Sequence, residues 1–163
     1  MGWTPQQLCS RADIIDTHHR YALGIDRRDW LLFRSVFADR IHLDFSAWHG
    51  GEPLEIDADD WVKQVAARQS GFDATQHQMT NHTVTLTGTH AECITYIIAR
   101  HYIRDGDCHH IQAIGGYYRN RLVKADNAEW KITHATLNLL WTHGSRALFD
   151  VARLRHEREH MRH

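Results

Sequence analysis

A chain of 163 residues is the size of one domain, long enough to bury a core without help from disulfides or metal. Its 19 Lys plus Arg against 20 Asp plus Glu leave no net field to draw in nucleic acid or an anionic membrane, so neither is expected as a partner. Small neutral substrates and protein partners remain open.

The first residues, MGWTPQQLCSRAD, lack a basic start followed by an apolar run, so no secretory leader is expected there. No segment approaches the ~18 uninterrupted apolar residues of a membrane span. Cys9, Cys93 and Cys108 are odd in number and show no C-x-x-C spacing, which fits reduced thiols in a cytoplasmic protein.

From Ser10 to about Leu23, Ala12, Ile15, Ala22 and Leu23 suit one face of a helix that Ser10 and Asp13 could cap and Gly24 would end. Asp26 then restarts a helix over Arg27 to about Phe37, with Trp30, Phe33, Val36 and Phe37 at helical spacing. Two readings of Asp26 stand side by side: a helix N-cap, and a buried carboxylate that orients a histidine. Arg40 to Trp48 alternates as a strand, with Ile41, Leu43 and Phe45 on one face, and Gly50-Gly51-Glu52-Pro53 breaks it. A third helix is expected from Asp57 or Ala58 to about Gln69, with Trp61, Val62, Val65 and Ala66 inward.

The stretch from Thr75 to Leu140 reads as strands over Gln78–Thr87, Ala91–Ile103, His109–Lys124 and Glu129–Trp141, separated by Asp-, Asn- and Gly-containing turns. Helices followed by long antiparallel strands give an α+β order, with one curved sheet wrapped around the helices. The tail from Ser145 returns to helix and is expected to fray or project into solvent from about residue 155. One domain is expected throughout.

Histidine occurs 15 times, so its count locates nothing. His156-Glu157-Arg158-Glu159-His160, with His163 beyond, satisfies the H-E-x-x-H zinc pattern, but its arginine-rich surroundings lack the apolar flanks of a buried zinc helix, and no metal is expected. His77 precedes a strand where no periodicity demands it. His101 lies in phase with Cys93, Thr95, Ile97 and Ala99, a face of small residues ending in a histidine, as in a pocket lining or around a satisfied core histidine.

Gly24-Ile25-Asp26-Arg27-Arg28-Asp29-Trp30, Thr75-Gln76-His77, Gly115-Gly116-Tyr117-Tyr118 and Trp130-Lys131-Ile132, in this order over about Ser10 to Val151, resemble the SnoaL-like enzymes of the nuclear-transport-factor-two-like superfamily. The resemblance extends to scytalone dehydratase, bile-acid 7α-dehydratase and hexachlorocyclohexane dehydrochlorinase. It implies a cone-shaped α+β barrel: a strongly curved, mixed but largely antiparallel sheet against three N-terminal helices, plus a C-terminal helix, around a deep apolar pocket. It also implies cofactor-independent chemistry and self-association, with a homotrimer favoured over a homodimer.

By that resemblance Asp26 pairs with His77, and His77 acts as the base. A carboxylate that holds one imidazole nitrogen fixes the tautomer and strengthens the other nitrogen as a base. His101 matches a second histidine suited to protonating a leaving group, and Tyr21 matches a functional tyrosine. Phe45, Trp48, Met79, Ala99 and Tyr117 are the expected apolar wall. Ile25 and Phe45 stand where scytalone dehydratase has its water-holding tyrosines, so scytalone is not the expected substrate.

The expected activity is dehydration of a hydrophobic hydroxy-carbonyl compound of polyketide, aromatic or steroid type. The alternatives are an isomerase or cyclase with the same dyad, and a non-catalytic binding or assembly module.

Overall fold

The computed structural model describes residues 2–161. Its first helix, α1 (Pro5–Asp26), begins earlier and ends later than the apolar spacing suggests. The start is set by a capping box: the Gln7 amide N–H donates to Thr4 Oγ1 at 3.2 Å, and the Thr4 N–H donates to Gln7 Oε1 at 2.9 Å. Pro5 fills the first turn, where its missing N–H costs nothing. Ser10 is therefore an interior helix residue rather than a cap.

Gly24 does not end α1 either. A Cβ there would lie 2.7 Å from the Cβ and backbone nitrogen of Phe33, so glycine is what allows the next helix to cross so closely. The chain turns at Arg28, in the left-handed region at φ 55°, and α2 (Trp30–Ser35) follows. Its N-cap is Asp29, whose Oδ1 accepts from the Leu32 N–H at 2.9 Å. Asp26 is thus the last residue of α1 and not the cap of α2, which frees its carboxylate for other partners.

The helical spacing through Phe37 also gives way to tertiary pairing. Phe37 opens strand β1 (Phe37–Asp44) and lies opposite Ile132 in a parallel ladder, and the Ile132 N–H donates to Val36 O at 2.8 Å. Phe45 and Trp48 fall outside the strand, Trp48 within a short helix, α3 (Ser46–His49). A four-residue edge strand, β2 (Leu54–Asp57), pairs with β1; being largely exposed, it left no apolar pattern to read. α4 (Ala58–Gln69) buries Trp61, Val62 and Val65, as its spacing predicts.

Four long strands follow: β3 (Ala74–Thr87), β4 (His90–Asp105), β5 (Cys108–Lys124) and β6 (Trp130–His143). The sheet order is β2-β1-β6-β5-β4-β3, antiparallel except for the β1–β6 pair. The architecture is thus α+β with a mixed six-stranded sheet that stays open at β2 and β3 and is packed with helices, consistent with the cone expected from the sequence.

α1, α2 and α4 bury Ile14, Phe33 and Trp61 against Ile41, Ile97, Leu122 and Ile132 of the strands. The last helix, α5 (Leu148–His160), runs into the stretch expected to fray or project into solvent, where Glu157 and Arg158 are exposed. It docks where Gly71 leaves no room for a Cβ beneath the Ala152 carbonyl, and Phe72, Ile103 and Ala152 form a second small core there with Phe149. His163 and the His160 side chain lie outside the described residues, so the H-E-x-x-H pattern has no described geometry.

Candidate active site

The helices and the curved sheet enclose a cavity of about 740 Å³. That is the size of a site for a small molecule of several rings. α1 contributes Tyr21 and Ile25; the stretch around α3 gives Phe45 and Trp48; α4 gives Trp61, Arg68 and Gln69; the strands give His77, Ala99, His101 and Tyr118; and α5 closes one side with Phe149.

Asp26 and His77 meet at this cavity. Asp26 Oδ1 accepts from His77 Nδ1 at 2.7 Å and from the Thr75 hydroxyl at 3.0 Å, while Oδ2 accepts from the His77 backbone N–H at 2.7 Å. Ending α1 at Asp26 aims the carboxylate at the first residues of β3, and every donor it meets comes from that strand. Burial alone would lift the Asp26 pKa, but the hydrogen bonds from His77 and Thr75 outweigh it and hold the group below the ordinary carboxylate value. An ionised Asp26 requires the proton on Nδ1 of a neutral His77, which leaves the lone pair on Nε2. The His77 side chain is only 6% exposed.

His101 stands edge-on to His77, with ring centroids 5.7 Å apart. Gln112 donates from Nε2 to the Ala113 carbonyl at 3.1 Å, which turns its Oε1 to accept from His101 Nδ1 at 3.0 Å. His101 Nε2 lies 3.4 Å from Gln69 Nε2, which can only donate to it. Both ring nitrogens are therefore occupied in the neutral form. Burial first, and the neighbouring His77 imidazole after it, lowers the His101 pKa to about 3. Phe149 packs on the ring at a centroid distance of 4.7 Å.

Tyr21 is buried against Tyr118, with ring centroids 5.9 Å apart. Burial raises both phenol pKa values, and the neighbouring Tyr118 raises that of Tyr21 further.

Of the expected wall, Phe45, Trp48 and Ala99 line the cavity. Met79 is in the main core but not on the cavity surface. Tyr117 points through the opposite face of the sheet, where its ring neighbours Tyr96 at 5.9 Å. In a Tyr-Tyr pair on a strand only one ring can face inward, and the phase of β5 gives that place to Tyr118.

Gln112, Gln69 and Phe149 were not legible as site residues, since each matters only through contact with His101. Trp61 was read as core. Its Nε1, like Gln69 Oε1, is buried without a hydrogen-bond partner among the described residues, and both side chains line the cavity.

Comparison with known proteins agrees with this architecture. A family model described as a SnoaL-like domain matches residues 6–136, and the chain belongs to that family. Among solved structures, the Kfla4162 protein of Kribbella flavida is 26% identical with a TM-score of 0.78, covering 88% of this chain and 96% of that one. A provisionally assigned scytalone dehydratase of Novosphingobium aromaticivorans is 18% identical with a TM-score of 0.72, over 85% of this chain and 89% of that one. A type 3 hexachlorocyclohexane dehydrochlorinase of Novosphingobium barchaimii is 19% identical with a TM-score of 0.67, over 85% and 92%. Comparison with curated protein sequences finds no match.

Proposed function

We propose that this protein is a cofactor-independent lyase that dehydrates a hydrophobic hydroxy-carbonyl compound of polyketide, aromatic or steroid type. The observation that carries this reading is the Asp26–His77 pair at the wall of an apolar cavity, with the imidazole held in the tautomer that exposes a basic Nε2. Family membership and structural neighbours that include a provisional dehydratase and a dehydrochlorinase support it.

In this reading His77 Nε2 takes the proton from the carbon beside the substrate carbonyl. The C–H electron pair becomes the new double bond, the C–O bond breaks, and the departing hydroxide collects the proton from the His77 imidazolium, so one water leaves and His77 returns to its starting form. Asp26 stabilises the transient imidazolium. Tyr118 O–H, with Tyr21 beside it on the cavity wall, polarises the substrate carbonyl. His101, a neutral ring whose two nitrogens are held by Gln112 and Gln69, buttresses the His77 ring it meets edge-on instead of protonating the leaving hydroxyl.

An isomerase or cyclase is the second reading, favoured by the same economy of groups: one base that takes and returns a proton can also move it within the substrate. Mass spectrometry of the product separates the two, since dehydration removes one water and isomerisation none. A non-catalytic binding module would not require a histidine locked to a buried carboxylate. Unaltered hydroxy-ketones recovered with the wild-type protein, in every compound class it binds, would favour that module and overturn the lyase.

Self-association is part of the proposal, with a homotrimer preferred. The sheet face opposite the core carries Tyr96, Leu140 and Trp141, which are 46%, 63% and 45% exposed and line a shallow groove. A cytoplasmic location is proposed on the three free cysteines; among the described residues no helix is long and apolar enough to cross a membrane.

A further inference from the structure

About two turns back along α1 from the dyad, the sheet and the helix enclose a second polar cluster that lines neither cavity. His18 on α1, His82 on β3 and Cys93 on β4 place one potential ligand atom each within 4.8 Å of one another. Asn120 sits beside them on β5, directly opposite Cys93 in the ladder. His18 and Cys93 have no exposed surface, and Asn120 is 1% exposed. Eight residues of helix separate His18 from Asp26, or ~12 Å along the axis, so this cluster is distinct from the catalytic pair.

The chain takes a specific local step to build it. Thr75, His77 and Met79 face inward on β3, and strict alternation would turn His82 outward. A one-residue bulge between Thr80 and Thr83, with Asn81 at φ 54°, reverses the phase and turns His82 under α1. Having been brought there, both ring nitrogens of His82 are buried with no hydrogen-bond partner among the described residues, and so is Asn120 Oδ1. Unsatisfied buried nitrogens are costly unless something occupies the space between them.

The neighbours are arranged as around a metal ligand. His18 Nδ1 donates to the Ile14 carbonyl at 2.8 Å, the backbone anchor that fixes a ligating imidazole and leaves Nε2 as its coordinating atom. Among the described residues the one hydrogen-bond partner of that Nε2 is the Asn120 amide, at 3.0 Å, and a half-turn of the amide replaces Nδ2 by Oδ1 at the same place. The only hydrogen bond of Cys93 Sγ among the described residues is a long one to Ile94 O at 3.8 Å.

We propose that His18 Nε2, one ring nitrogen of His82 and Cys93 Sγ form a three-ligand site for a zinc-class divalent cation, with the Asn120 amide oxygen or a water as the fourth ligand. Two nitrogens, one sulfur and one oxygen suit a borderline tetrahedral ion. Ligands around tetrahedral zinc lie about 3.5 Å apart, and His82, held by no hydrogen bond, is the side chain free to close the remaining gap. The Cys93 thiol gives its proton to solvent as the metal–sulfur bond forms. The ion would pin α1 to β3 and β4, a structural clip independent of the lyase reading.

The test uses tag-free full-length protein carrying Cys9→Ser and Cys108→Ser, which leaves Cys93 as its one thiol, stripped of metal by a chelator. Titration with cobalt should saturate at one equivalent per chain with a thiolate-to-cobalt charge-transfer band that zinc displaces. His82→Ala should weaken that binding at least tenfold, and Cys93→Ser should abolish the band. Should Cys93→Ser fail to fold, the thermal shift decides: zinc should raise the melting temperature of the Cys93-only protein by several degrees and leave His82→Ala unmoved. Cobalt taken up without a charge-transfer band, or a zinc shift that survives in His82→Ala, would mean that surface histidines bind the ion. No uptake at all would mean that the cluster holds a water. Either result overturns the site.

Discussion

Replacing Asp26 by Asn separates the shape of the dyad from its charge. The carboxylate accepts three hydrogen bonds: from His77 Nδ1 and the Thr75 hydroxyl at Oδ1, and from the His77 backbone N–H at Oδ2. An amide of the same shape accepts on one side only. With its oxygen toward the ring, its NH₂ would oppose the His77 backbone N–H, donor against donor. Turned over, it accepts from that backbone N–H, donates to His77 Nδ1, and the Thr75 hydroxyl rotates to fit.

The second arrangement satisfies every group, so it should win, and it moves the histidine proton from Nδ1 to Nε2. The ring then presents a donor where a base is required. The same tautomer reversal in serine proteases costs about 10⁴-fold in turnover, and a loss of 10³ to 10⁴-fold is expected here. Exchanging hydrogen bonds to a charged acceptor for neutral ones should cost about 2 kcal/mol in folding stability. Nitrogen–proton correlation NMR reads the His77 tautomer directly and requires no substrate; turnover is then measured on the same samples. An unchanged His77 spectrum, with activity within tenfold of wild type, would refute the reasoning.

Further outcomes follow from other contacts. Tyr118→Phe should lower kcat about 100-fold with little change in KM, since it removes a donor to the developing oxyanion and little apolar surface; an equal rise in KM would make Tyr118 a binding residue only. The lowered His101 pKa makes stability depend on pH: between the ordinary 6.5 and about 3 the unfolded chain takes up a proton that the folded ring refuses, so stability falls as pH drops. Chemical denaturation from pH 8 to pH 5 should cost wild type about 2 kcal/mol more than His101→Gln, with Asp26 silent because its stabilisation is lost only below the ordinary carboxylate range. Equal slopes in the two proteins would contradict the buried neutral ring. Gly24→Ala puts a Cβ 2.7 Å from the Phe33 backbone nitrogen and should destabilise by about 2 kcal/mol in thermal melts. Native mass spectrometry should find the proposed homotrimer in wild type and monomer in Leu140→Asp, and an assembly state equal in the two would exclude the Tyr96, Leu140 and Trp141 face.

The α+β class and the four long strands could be read from alternation and turn residues, because strands buried on one face carry that alternation directly. The pairing of Asp26 with His77 was reachable only through resemblance, since 51 positions separate them and Asp26 resembles a cap on local grounds. What misled the local reading was tertiary: Phe33 crossing over Gly24 keeps α1 going, and the ladder with Ile132 pulls Phe37 out of a helix into a strand. β2 left no trace because an exposed edge of four residues has no apolar rhythm.

Tyr117 and Tyr118 could not be told apart without the phase of β5. His82 was hidden more deeply still, since a single bulge residue reverses the face that counting in twos assigns to it.

The account rests on His77 as the base, and turnover by wild type and His77→Gln, side by side on hydrophobic hydroxy-ketones, measures that most directly. Wild type should yield a product lighter by one water, while His77→Gln should bind the same compounds with similar affinity, melt at nearly the same temperature and form no product. Product from His77→Gln at the wild-type rate would contradict the assignment.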